Sequence, residues 1–209
     1  MDLLLHPAYF PNCISMACLV QGNTTWEVWD NYQKQTYRNR CYIATDRGQL
    51  MLNIPIQHVG GATGRQLYKE VRIDNTYPWQ RQHWRSLETA YRAAPFFEYF
   101  EADLRPLFQK SFSHLMDLNL ATVELLCSLL ALPLPQARTV SYQKDAEGAV
   151  DARFLVKAKK NDPCPVPVYT QVFQERHGFL PNLSTLDLLF NEGTAALDYL
   201  KAIELPWNA

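Results

Sequence analysis

From Trp79 the prevailing hydrophobic period changes to that of a helix, and that change limits the fold more than any other feature. Before Trp79 the apolar residues stand in short runs or alternate with polar ones, as in strands. From Trp79 onward they recur at spacings of three and four, as in helices. A chain with strands first and helices in its middle and end belongs to a mixed class, α+β or α/β. At 209 residues it can bury about 70% of its unfolded surface, enough for one ample core. We read residues 1–209 as a single compact domain, with a small mixed sheet of N-terminal strands packed by a mostly helical middle and C-terminal helices.

Leu3-Leu4-Leu5 reads as a short buried strand, closed by Pro7 and Pro11, which forbid a helix there. Asn12 can cap a short helix with Ile14, Ala17 and Cys18 on its apolar face and Gly22 as its stop. Thr25 to Trp29 has the content of a second strand. Cys41–Thr45 and Gln49–Ile56 form a hairpin across Asp46-Arg47-Gly48, with Leu50, Leu52, Ile54 and Ile56 on its buried face. Lys69 to Asp74 alternates charged with apolar residues and reads as a half-exposed strand. Gly60-Gly61-Ala62-Thr63-Gly64-Arg65 lacks the Gly-Lys-Ser/Thr of a phosphate loop and reads as a connection.

In the helical part, Trp84, Leu87, Tyr91 and Ala94 line one face, and Glu88 pairs with Arg85 and Arg92 on another. His83 stands off the apolar stripe. Pro95 restarts a helix along Phe96, Phe97, Phe100, Leu104, Leu107 and Phe108, which Pro106 can end or kink. Ser113 caps the longest helix, to about Leu132, and Asn119 among its leucines calls for a buried partner. Thr139 to Tyr142 is a further candidate strand. The prolines of the 161–167 stretch make it a surface crossing. Ser184-x-x-Asp187 has the spacing of a capping box before the helix Leu186–Phe190, and a final helix runs from Thr194 to about Ile203.

Charge is nearly balanced, with a formal net of −1, which argues against nucleic acid or an anionic membrane as partner. No apolar run is long enough for a membrane span or for a signal-peptide core, so the expected location is cytoplasmic. The five cysteines show no metal or redox spacing, so reduced thiols and no metal site are expected.

Asn31-Tyr32-Gln33-Lys34-Gln35-Thr36-Tyr37-Arg38-Asn39-Arg40 has no aliphatic side chain to bury and runs directly into a strand. Lys34, Arg38 and Arg40 suit phosphate or carboxylate, Gln35 and Asn39 suit hydroxyls, and Tyr32 can stack on a ring. His6 and Tyr9 sit at the end of the first strand, where open α/β sheets place ligand groups. The competing readings are an ordinary solvated loop and a satisfied core histidine.

Taken together, the motifs resemble the WbqC-like protein family, in its shorter branch. They are His6-Pro7-x-Tyr9-x-Pro11, the 31–40 stretch, Asn53-Ile54-Pro55-Ile56 and Trp79-Gln80-x-x-His83-Trp84-Arg85-Ser86-Leu87. Tyr91-x-x-x-Pro95-Phe96-Phe97, Leu118-Asn119, Asp151-x-Arg153 and His177 to Ser184 continue the match. The resemblance implies a place in surface-polysaccharide biosynthesis and a transferase acting on an activated amino sugar or similar phosphorylated small molecule. On that reading His6 and His83 are the catalytic bases. Tyr9, Tyr32, Lys34, Gln35, Arg38, Asn39, Arg40, Asn119 and Asn182 hold the ligand, a sugar nucleotide or phosphorylated metabolite. The resemblance names no cofactor and no oligomeric state. A non-catalytic binder of such a metabolite, or a helical interaction protein, are the alternatives.

Overall fold

The computed structural model describes residues 1–57, 66–158 and 164–207. The glycine-rich 60–65 stretch and residues 161–163 of the proline-rich crossing lie outside these residues.

β1 (Asp2–Leu5) and β2 (Asn23–Trp26) run parallel in the register Leu3↔Thr24 and Leu5↔Trp26, joined by α1 (Cys13–Gln21). Asn12 caps α1, its side chain accepting from the Ser15 amide, and the Gly22 amide closes the end on the Cys18 carbonyl. β3 (Arg40–Thr45) and β4 (Gly48–Asn53) form the expected antiparallel hairpin. Their buried face is narrower than expected, because Leu52 and Ile54 are inside while Leu50 is 38% exposed.

α2 (Trp79–Tyr91) and α3 (Phe97–Gln109) bury the aromatic faces read from the sequence. Pro106 stays inside α3. Arg92 pairs with Glu88 at 3.5 Å and more closely with Glu101 of α3, at 2.7 Å. α4 (Leu115–Leu129) begins two residues beyond Ser113, whose hydroxyl bonds the His114 ring and does not cap the helix. β5 (Val150–Asp151) then returns to the other edge of β1, in parallel, with Leu4 opposite Asp151. The three leucines of β1 are therefore buried in the middle of a parallel sheet, which explains an unbroken apolar run where alternation would signal a half-exposed strand. The strands thus divide over two sheets, β2-β1-β5 and β3-β4.

α5 (Gln174–His177), α6 (Thr185–Glu192) and α7 (Ala196–Ala202) finish the chain, and α7 packs on α1. Gly193, between α6 and α7, has φ +57°, and a Cβ there would lie 2.6 Å from the Phe96 ring.

Two expected strands do not form. Lys69–Asp74 holds the predicted burial alternation, with Val71 and Ile73 inside, but its backbone begins as a 3-10 turn at Tyr68–Glu70. Its pairing is limited to the single bridges Ile56↔Ile73 and Arg72↔His114. Near Thr139 the pairing is the single bridge Trp26↔Arg138. In each case the neighbouring backbone offers one matched residue rather than a ladder.

Candidate functional site

The parallel sheet ends in a cluster of charges. His6 follows β1 directly, Glu27 follows β2, and Asp151 closes β5 with Arg153 just beyond it. This is the carboxyl edge, where strand-end residues of parallel sheets converge. Arg38 enters from the polar 31–40 stretch, fully buried, and its Nη2 donates to Asp30 Oδ2 at 2.9 Å and stands 2.8 Å from His6 Nε2. The same His6 Nε2 also lies 3.2 Å from Asp30 Oδ2, so it either accepts from the guanidinium or donates to the carboxylate according to the tautomer, while Nδ1 stands 3.4 Å from the Glu27 carbonyl. Burial, reinforced by the Arg38 charge, lowers the His6 pKa from 6.5 to about 4 against the opposing pull of Asp30, so the ring is neutral at pH 7.

Of the five N–H donors of Arg38, the Nη2 pair is engaged, while Nε and Nη1 are buried with no hydrogen-bond acceptor among the described residues. The Tyr68 ring covers one face of the guanidinium, 5.1 Å from its carbon. Asn119 supports the group from α4. Its Nδ2 donates to the Arg38 carbonyl and to the Tyr68 hydroxyl, which itself donates to the Pro7 carbonyl at 2.8 Å. Asn119 thus has its buried partner. Arg40, two residues on from Arg38, is half-buried, and Tyr32 lies within the electrostatic reach of both arginines. The solvent side of the cluster is Asp30, whose side chain is 15% exposed.

Glu27 is wholly buried. Its Oε1 accepts from the Trp29 amide and the Thr139 hydroxyl, and Arg153 stands 3.6 Å from its Oε2. Arg153 in turn clasps Asp151 through Nε and Nη2, at 2.9 and 2.7 Å.

The second histidine belongs to a neighbouring group. His83 is buried, not off the packed face of α2, because Tyr9 O–H donates to its Nδ1 at 2.9 Å and its Nε2–H faces the Asn53 carbonyl at 3.2 Å. Burial lowers its pKa to about 4 against the pull of that carbonyl. Asn39 reaches the same loop, donating to Asn53 Oδ1 and to the Ile54 carbonyl. Arg38 and Asn39, adjacent in sequence, therefore serve the two groups on opposite sides of the chain.

The remaining predicted residues fall outside both groups. Lys34 and Gln35 are exposed on the polar stretch. Asn182, at φ +50°, accepts the Ile14 amide at the first turn of α1 and ties the C-terminal turn to that helix. Asp187 does not complete a capping box. Ser184 caps α6, while the Asp187 carboxylate is buried between the Tyr91 and Tyr169 hydroxyls, each donating at 2.6 Å, and burial raises its pKa.

Sequence reasoning missed Asp30, Glu27 and Tyr68 as members of the cluster. Asp151-x-Arg153 was visible as a motif, but its neighbour β1 was not. Among the described residues no group of three or more His, Cys, Asp or Glu side chains could hold a metal ion, and no helix is long and apolar enough to cross a membrane. A groove of about 770 Å³ opens elsewhere, between the β3–β4 turn, α2 and residues 173–176, and none of the predicted site residues lines it.

The sequence model of the WbqC-like protein family matches residues 7–161. The chain is also 30% identical over 197 residues to the uncharacterized protein Rv1507c of Mycobacterium tuberculosis, an alignment covering 81% of this chain and 84% of that protein. No solved structure matches the chain with significance.

Proposed function

The chain belongs to the WbqC-like protein family, and from that premise we propose that it takes a phosphorylated small molecule of the activated-sugar class at the carboxyl edge of its parallel sheet, as a transferase of surface-polysaccharide biosynthesis. The observation that carries the reading is Arg38, a buried cation with one carboxylate partner and with Nε and Nη1 free of acceptors among the described residues. Leaving charged donors buried and unmatched is costly, and a phosphate supplies the acceptors they lack. Arg40 adds a second positive charge on the same side of the chain, and Tyr32 lies beside both arginines. His6 serves as a positioning residue in this scheme, its Nε2 in contact with both the guanidinium and Asp30.

A second reading, retention of the ligand without turnover, is favoured by the state of the histidines. Each has both ring nitrogens engaged and a pKa near 4, so neither is poised to accept a proton near neutral pH.

The test is a thermal-shift and turnover screen of the protein against nucleotide sugars and sugar phosphates, repeated with Arg40→Met and Arg38→Lys. A stabilising ligand whose effect weakens in both variants supports the site, since stabilisation grows with concentration over Kd. Release of free nucleotide with a hit selects transfer over retention. No stabilisation by any phosphorylated compound, or a shift indifferent to both variants, sinks the proposal.

A further inference from the structure

The groove beside the β3–β4 turn is built, not incidental. One wall is the hairpin turn, the second is the outer face of α2 through Gln82, Arg85, Ser86 and Thr89, and the third is Phe173 with Arg176. Hydrogen bonds pin these walls to one another beneath the opening. The Ala44 amide donates to the Tyr91 hydroxyl at the end of α2, and His177 Nε2 bonds the Thr45 carbonyl at 3.0 Å. The cleft therefore exists before anything enters it.

Its charge departs from that of the chain. Arg47, Arg85 and Arg176 enter from three separate elements against a single carboxylate, Asp46, within a protein of formal net charge −1. Among the described residues Arg47 and Arg85 form no ion pair, and Arg176 meets Asp46 only at 3.9 Å. Leu50, Ala90 and Phe173 contribute apolar surface to the same lining. The exposure of Leu50, at odds with its strand pattern, follows from its place on this wall.

We infer that this groove is a second ligand site, independent of the Arg38 cluster, for a small molecule that joins a diphosphate to a flat aromatic ring through a sugar, the chemistry of a nucleoside diphosphate. The three guanidiniums meet the phosphates, and Phe173 with Leu50 and Ala90 receives the ring. The groove's volume lies in the range of small-molecule pockets, about 300 to 1,000 Å³. Charges gathered from three elements into one cleft suit a compact polyanion better than an extended acidic peptide.

The experiment is calorimetric titration of the intact chain with ADP, inorganic pyrophosphate and a hexaglutamate peptide, compared with the double variant Arg47→Ala/Arg85→Ala. Both arginines are exposed, so an unchanged Tm verifies that the variant folds. ADP is expected to bind at least tenfold more tightly than pyrophosphate, and the double variant to weaken both about tenfold or more. Failure of ADP to bind, binding indifferent to the two substitutions, pyrophosphate as tight as ADP, or tighter binding of hexaglutamate overturns the inference. Because these residues lie apart from the Arg38 cluster, the outcome does not depend on the sugar-phosphate reading.

Discussion

Mild acid is expected to weaken the fold through His6 and His83, well before the depressed carboxylates Asp30 and Asp151 titrate. Both rings are buried and neutral, with pKa lowered from 6.5 to about 4, whereas the unfolded chain takes up these protons near 6.5. As pH falls below 6.5 the unfolded state therefore binds protons that the folded state refuses until about 4, and stability declines across that window. From pH 7 to pH 5 the loss is about 2 kcal/mol per histidine, or about 4 kcal/mol for the pair. Asp30 and Asp151 have depressed pKa values, so the stability they confer is lost only below the ordinary carboxylate range. Asp187 acts with the opposite sign, because its raised pKa makes the folded state bind its proton first. The assay is urea unfolding at pH 7, 6 and 5, on the parent chain and on His83→Gln. A glutamine amide can donate to the Asn53 carbonyl and accept from Tyr9, but it does not titrate. The variant should lose about half as much stability over this interval, about 2 kcal/mol. Constant stability between pH 7 and 5, or the same decline in His83→Gln, refutes the reasoning, as does NMR titration of either ring near 6.5.

Two further substitutions test the frame around the site. Gly193→Ala combines a positive φ with a Cβ driven into the Phe96 ring, and should lower stability by about 2 kcal/mol in a denaturant melt. Arg153→Met removes the cation nearest to buried Glu27 and should cost about 3 kcal/mol, with Glu27→Gln in the same background recovering part of the loss.

Much of the frame was legible in local chemistry. Asn12 and Gly22 bracket α1 because cap and stop are short-range hydrogen bonds. The β3–β4 hairpin followed from a turn flanked by β-formers. β5 was not legible: it is two residues long, and its reason for being extended is a partner strand almost 150 positions earlier. The candidate site divided along the same line. The 31–40 stretch declared itself by lacking anything to bury, yet Arg38 is wholly inside, since Asp30, His6 and Tyr68 enclose it. His83 looked peripheral to its helix because its partners, Tyr9 and Asn53, come from other elements. Asp187 fitted a capping pattern while two tyrosines from distant positions claimed its carboxylate. Periodicity reports which side of an element is covered, but not by what.

The order of strands β2-β1-β5 carries a consequence for biosynthesis. On the ribosome the central strand and one flank emerge early, while the other flank arrives only after the β3–β4 hairpin and three further helices, α2, α3 and α4, have been made. Until then Glu27 has no counter-charge from Arg153 and the leucines of β1 keep one edge open. Long-range pairing of this kind slows closure and leaves the early strands exposed to mispairing, so the Glu27–Arg153–Asp151 part of the charged cluster is among the last features of the molecule to come into being.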